Sequence, residues 1–216
     1  MRMEATQIMV AYCFRSVSER LMASSPKASG LSPALTSSIA AESFETMDAP
    51  VFVCFKHATT NRLRGCVGTF TPGPLKDQLR KYACAAAFED SRFKPLSSEA
   101  ELSTLRCNVS LLHTFEVLPQ GDWDRWEVGV HGIQASLASG GRHLRGTFLP
   151  SVAKEQRWDQ RTTVTHLLHK AGLEGAVNDD VLRQVELTRY QESSSSSSYE
   201  ELFLPGTKPA RMCSIS

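Results

Sequence analysis

The sequence predicts a mixed fold of helices and hairpin-paired strands. Three observations carry this reading: an amphipathic stripe near the N-terminus, β-rich runs separated by turn residues, and further helical stripes between those runs. Over residues 9–22, Met9, Cys13, Val17 and Leu21 recur every four positions, while Arg15, Ser16, Ser18 and Glu19 lie opposite. That spacing predicts a helix with one buried face. From 23 to 48 the composition turns to Ser, Pro, Ala and Gly, with Pro26 and Pro33 and no stable period. The stretch reads as a linker or insertion, disordered at least to Ala34.

Strands follow. Residues 51–55 and 63–70 are β-rich and flank Ala58-Thr59-Thr60-Asn61, which predicts a hairpin. Pro72-Gly73-Pro74 breaks the second strand, and Pro74 suits the first position of a helix carrying Leu75, Leu79, Tyr82 and Ala86. Ser98-Glu99-Ala100-Glu101 matches a capping box and starts a short helix. Alternation over residues 107–117 puts Cys107, Val109, Leu111, His113, Phe115 and Val117 on one side of a long strand. A strand over 127–137 turns at Ser139-Gly140-Gly141 into another over 143–149, ended by Pro150. Thr162 or Thr163 caps a helix bearing Val164, Leu167, Leu168 and Ala171, stopped at Gly172. Residues 182–190 read as a last strand, 193–198 as a mobile serine linker or loop, 199–203 as a turn of helix, and 206–216 as a tail.

Composition excludes several classes of function. The chain has 216 residues, 24 Lys and Arg against 23 Asp and Glu, and a net charge of +1. Near-neutrality argues against a dedicated duplex-binding protein, whose affinity rests on clustered Lys and Arg meeting phosphates. No apolar run reaches the ~18 residues of a membrane span. The short apolar run at 8–14 is followed by Arg15, Glu19 and Arg20 and reads as a core helix rather than a leader. The six cysteines (Cys13, Cys54, Cys66, Cys84, Cys107 and Cys213) contain no C-x-x-C pair. The expectation is reduced thiols in an intracellular protein, cytoplasmic or nuclear, with no disulfide framework.

The most distinctive segment is Leu63-Arg64-Gly65-Cys66-Val67-Gly68-Thr69-Phe70. Two glycines three positions apart in a strand suggest a bulge or a close approach of backbone or ligand. On a regular strand Arg64 and Cys66 share a face, and a nearby cation favours the thiolate. Cys66 is therefore a candidate nucleophile, although a small buried cysteine has the same pattern. His131 is the candidate base that would activate it, or else a strand histidine with one hydrogen bond. Asp90 and Arg92 either bind a polar ligand or form a local ion pair. His166 and His169 share a helix face but have no third ligand at diagnostic spacing, so no metal site is expected. Nucleotide-binding glycine patterns are absent from the sequence, and no cofactor is expected. Lys76, Arg80 and Lys81 read as a solvated helix patch, and Trp123, Trp126 and Trp158 as packing anchors at a subdomain junction.

The same segment closely resembles the signature of the AMMECR domain family, named after the chromosomal region of Alport syndrome with midface hypoplasia and elliptocytosis. Val67 stands where the family usually has Ile. The resemblance continues through Asp90-Ser91-Arg92-Phe93, Trp126-Glu127-Val128-Gly129-Val130-His131-Gly132-Ile133, Val152-Ala153-Lys154-Glu155-Gln156 and Leu187-Thr188-Arg189-Tyr190, in the family's order. It is most similar to the eukaryotic branch. The resemblance implies a compact α+β protein, an antiparallel sheet flanked by helices, with a larger and a smaller subdomain and an intervening cleft. Residues 1–202 would form this domain, with 23–47 an insertion and 203–216 a tail. Leu63, Arg64, Gly65, Val67 and Gly68 would line the cleft, with Asp90 and Arg92 beside it. The family has no established reaction. The leading expectation is binding of a small molecule or peptide there, with thiol chemistry at Cys66. The alternatives are a non-catalytic adaptor binding a protein partner and, more weakly, a nucleic-acid-associated regulatory factor.

Overall fold

The computed structural model describes residues 4–24, 44 and 46–204. The expected disorder over 25–34 and the tail from 206 fall outside the described residues. Among those described are six strands and seven helices, an α+β fold. Strands β1 (Val51–His57), β2 (Leu63–Thr69), β3 (Leu105–Val117), β4 (Gly132–Ser139), β5 (Arg142–Phe148) and β6 (Glu186–Ser198) are hydrogen-bonded in the order β2-β1-β3-β6-β4-β5. The helices are α1 (Gln7–Ser24), α2 (Leu75–Phe88), α3 (Glu99–Leu102), α4 (Pro150–Gln156), α5 (Gln160–Lys170), α6 (Asp179–Gln184) and α7 (Tyr199–Phe203). The chain divides into two compact units, residues 1–111 with 194–216 and residues 112–193.

In the first unit β1 pairs antiparallel with both β2 and β3. Val51, Val53 and Phe55 are buried on one face, with Phe52, Cys54 and Lys56 half-buried on the other, as a period of two requires. The α1 stripe is buried as its spacing predicts, and Phe14 joins it, meeting the rings of Phe55, Tyr199 and Phe203 edge-on. Leu75, Leu79, Ala83, Ala86 and Ala87 form the buried stripe of α2, whose small residues let its backbone approach the sheet. Tyr82 is only half-buried, and Pro74 stands at the N-cap, one position before the helix. The segment read as linker ends in the core: Phe44 is fully buried and packs edge-on against Tyr12.

The serine run is the largest departure from the sequence reading. Residues 193–198 are not a loop but the second half of β6, which lies between β3 and β4. Serine contributes little strand propensity, and β4 pairs only with residues 186–190 of β6, so the run is held beside β3, where backbone pairing overrides composition. The hydroxyls find fixed acceptors as well: Ser196 donates to the Cys107 carbonyl and Ser197 to Glu201. Ser198 caps α7 in a full capping box with Glu201.

The second unit has its own core of Trp126, Ile133, Leu137, Val164, Leu167, Leu168, Leu182 and Leu187 with their neighbours. Here β4 pairs with β5 and β6, and Gly140 and Gly141 make the two-residue turn with positive φ at both positions. Several boundaries move. Residues 127–131 form a turn before β4, because the Glu127 carbonyl accepts from the amides of Val130 and His131 and Gly129 has φ of 83°. Asp159, rather than a threonine, caps α5 by accepting from the Thr162 amide. Pro150 opens α4 directly after β5 ends at Phe148, and Asn178 caps α6 where a strand was expected to begin at Leu182. In β3 the alternation breaks at Thr114, whose φ is 53°, so Phe115 and Val117 are exposed. Trp126 is buried in this unit's core, and Trp123 and Trp158 pack against residues of the same unit.

Candidate functional site

The distinctive segment is the edge strand β2. Pairing Phe55 with Gly65 but Lys56 with Leu63 leaves Arg64 as the extra residue of a bulge. Its guanidinium therefore goes to Glu101 of α3, Nε to carboxylate 2.8 Å, and not to Cys66. Leu63 is exposed at the strand's start. Gly65 faces the core, where a Cβ would lie 1.9 Å from the Ala86 carbonyl oxygen; only glycine lets α2 sit this close. Gly68 is paired with Phe52, whose ring lies where the Cβ of any other residue would go, with the Val51 carbonyl oxygen 2.3 Å from that point. Val67 packs against the core of this unit. The two glycines thus accommodate the protein's own helix and aromatic ring.

Cys66 lies directly across from Cys54, Cα to Cα 4.0 Å, and the two sulfurs are bonded. This corrects the expectation of reduced thiols throughout. Sequence spacing did not reveal the pair because the cysteines meet only through the hairpin register, which depends on the bulge at Arg64. In this state Cys66 has no thiol to ionise, so nucleophilic chemistry at this position first requires reduction. Cys13 and Cys107 are buried thiols, and burial pushes the Cys13 pKa up. Cys84 is half-buried and is also shifted upward by burial, against the opposing influence of Arg20.

Asp90 and Arg92 converge on Cys66. In a narrow antiparallel pair the backbone groups point away from the partner strand, here to the free edge. The Cys66 amide donates to Asp90 Oδ2 at 2.9 Å, and Arg92 donates to the Cys66 carbonyl at 3.3 Å. Arg92 also donates to both Asp90 oxygens, at 2.9 and 2.7 Å. The two side chains therefore complete the ladder that a missing strand would have supplied. The Arg92 hydrogen bond, then the Cys66 amide, hold the Asp90 carboxyl well below the usual range despite its burial, and Arg92 is pushed up in return.

Two neighbours on the Cys54 face carry polar groups that the sequence did not single out. Asn108 is paired with Cys54 and Ser110 with Phe52, and the Asn108 amide donates to the Ser110 hydroxyl at 3.0 Å. Phe52 and Phe70 meet edge-on, ring centres 5.1 Å apart. The face opposite α2 therefore holds a sulfur pair, an amide, a hydroxyl and an aromatic pair, all within the first unit.

His131 belongs to the second unit. Its Nδ1 accepts the Glu127 amide at 3.1 Å, and burial followed by the charge of Arg189 lowers its pKa, which favours a neutral ring. His166 stacks on Trp158 with ring centres 4.1 Å apart, while His169 is hydrogen-bonded to the Gly175 carbonyl. A separate concavity of about 520 Å³ is lined by residues of α1 and α2, including Arg20, Arg80 and Cys84. Its charges are internally compensated, since Arg20 pairs with Glu89 and Arg80 with Glu19.

The AMMECR1 family model matches residues 10–195. The chain belongs to the AMMECR1 family. An uncharacterized protein of Schizosaccharomyces pombe is 42% identical over 158 residues, covering 72% of this chain and 79% of that protein. An uncharacterized protein of Arabidopsis thaliana is 35% identical over 163 residues, covering 73% and 75%. The crystal structure of an uncharacterized protein from Pyrococcus horikoshii has the same fold, with a TM-score of 0.69, 24% identity, and coverage of 90% of this chain and 92% of that one. Membership of the AMMECR1 family establishes the architecture and assigns no activity. No helix among the described residues is long and apolar enough to cross a membrane.

Proposed function

We propose that this AMMECR1-family protein binds a small molecule or short peptide on the sheet face that carries Cys54, Cys66 and Asn108, the last braced by buried Ser110, with sulfur chemistry at Cys66. The observation that supports the reading most is the juxtaposition of half-buried Cys54 and Cys66 with hydrogen-bonding side chains and the Phe52–Phe70 pair. Binding sites combine apolar walls with a few fixed polar groups, and this face has both. Its rigidity comes from below, through the fit of Gly65 on α2, and from the side, through the Asp90–Arg92 clamp.

S-methylglutathione tests binding separately from exchange, because it is a short peptide whose sulfur cannot enter a disulfide. In amide chemical-shift mapping, the reading expects shifts concentrated at Phe52, Cys54, Cys66, Gly68, Asn108 and Ser110. Their absence at millimolar probe, or their concentration at the α1–α2 concavity, overturns it.

A further inference from the structure

The geometry points to Cys54 and Cys66 as a two-cysteine exchange site for low-molecular-weight disulfides, with Cys66 the attacking and Cys54 the resolving residue. This assignment rests on the binding face proposed above and names its substrate class. The hairpin register holds the two residues opposite one another, so the second thiol is in place before any substrate arrives. They differ in access. Cys54 lies on an inner strand between Cys66 on one side and Asn108 on the other. Cys66 lies on the edge strand and has a strand neighbour on one side only. An incoming disulfide therefore reaches Cys66 first. The clamp fixes the Cys66 backbone through its amide and carbonyl and leaves the side chain outside those hydrogen bonds. The other described cysteines, Cys13, Cys84 and Cys107, have no such bonded partner.

In the reduced protein the Cys66 thiolate attacks one sulfur of the small disulfide. That S–S bond breaks, a mixed disulfide forms at Cys66, and the first small thiolate leaves and takes up the proton that Cys66 lost. The Cys54 thiolate then attacks the Cys66 sulfur, closing the Cys54–Cys66 bond and expelling the second small thiolate, which takes up the Cys54 proton. One protein disulfide forms, one small disulfide is broken, and two electrons pass from the protein dithiol to the small disulfide, which becomes two molecules of small thiol. The reverse reaction, driven by excess small thiol, regenerates the dithiol.

Oxidised glutathione added to the fully reduced chain tests this, with the products read by intact mass and peptide mapping. Wild type is expected to yield the linked Cys54–Cys66 peptide and two glutathiones per chain without accumulating an adduct. Cys54→Ser is expected to trap one glutathionyl group on Cys66, and Cys66→Ser to react at least tenfold more slowly at Cys54. Circular dichroism melts confirm that each variant is folded, and the wild-type mapping decides the matter if either is not. Stable wild-type adducts, equal trapping in the two variants, or faster consumption by Cys84 overturns the exchange site. S-methylglutathione binding without exchange would sink this inference and leave the binding face standing. Exchange without that binding would do the reverse.

Discussion

Two strands of the first unit, β2 and the serine end of β6, reach fixed positions by opposite routes. The β2 sequence is conspicuous, with two glycines, an arginine and a cysteine in seven residues. Its place at the sheet edge leaves half its backbone groups without ladder partners, and side chains far along the sequence fill the gap. The end of β6 is a nearly featureless run of serine beyond the residues paired with β4, and its own hydroxyls reach the Cys107 carbonyl and Glu201. Side chains brought from elsewhere hold β2, whereas the serine run is held beside β3 and by its own hydroxyls. Conspicuous sequence marks where the fold cannot supply its own hydrogen bonds or space.

The largest expected effect falls on β2. In Gly65→Val the new Cβ meets a helix carbonyl oxygen, which cannot swing aside as a side-chain tip can. Overpacking of this kind costs about 3 kcal/mol or more, read as a fall in the urea midpoint. A cost below about 1 kcal/mol, which a flexible surface site would give, would break the view that β2 is held by its fit to α2.

This contrast also explains what was legible in the sequence. The α1 and α2 stripes, the hairpin of β1 and β2, and the Asp90–Arg92 ion pair follow from local pattern, because burial and turn chemistry act over a few residues. The Cys54–Cys66 pairing did not follow, since one extra residue at Arg64 sets which positions face each other. The serine strand is not legible because its order comes from its place beside β3 and from hydroxyl contacts such as Ser196 to the Cys107 carbonyl, which strand propensity does not signal. Local geometry misled at the turn over 127–131 as well: Val128, Val130 and Ile133 suggest a strand, but Gly129 with positive φ reverses the chain. The family resemblance, by contrast, pointed to the right architecture from scattered landmarks in order.

An intermediate effect is expected at the clamp. Asp90→Asn keeps the shape but removes the charge that receives Arg92 and the Cys66 amide, and losing such charge-assisted bonds costs about 1–3 kcal/mol. The pH dependence has a definite sign. Folding lowers the Asp90 pKa, so its contribution is complete above the ordinary carboxylate value of 3.8 and is lost as pH falls below it towards the folded value. Wild type and Asp90→Asn should therefore differ in urea midpoint at pH 7 and converge as acid protonates the carboxyl. A constant difference from pH 7 down to pH 2 would show that the side chain acts by packing alone, and β2 would then need no edge partner.

The smallest effect belongs to the serine end of β6. Ser198→Ala removes the hydroxyl that accepts the Glu201 amide at 3.1 Å, and loss of such a cap costs about 1 kcal/mol. The cap's other half should survive, because Glu201 still accepts the backbone amide of residue 198, the Ser197 hydroxyl and Arg106. Those bonds, the Ser198 amide first, hold the Glu201 pKa down to about 2 from an ordinary 4.5. Its contribution is thus complete above 4.5 and fades as pH falls through about 2. Ser198→Ala should lower the melt at every pH by a similar amount and keep this acid dependence, whereas Glu201→Gln should abolish it. If Ser198→Ala also erased the acid dependence, the hydroxyl would be organising the carboxylate. The end of β6 would then hang on one indispensable side chain, as β2 does on its clamp, and the contrast between the two strands would fail.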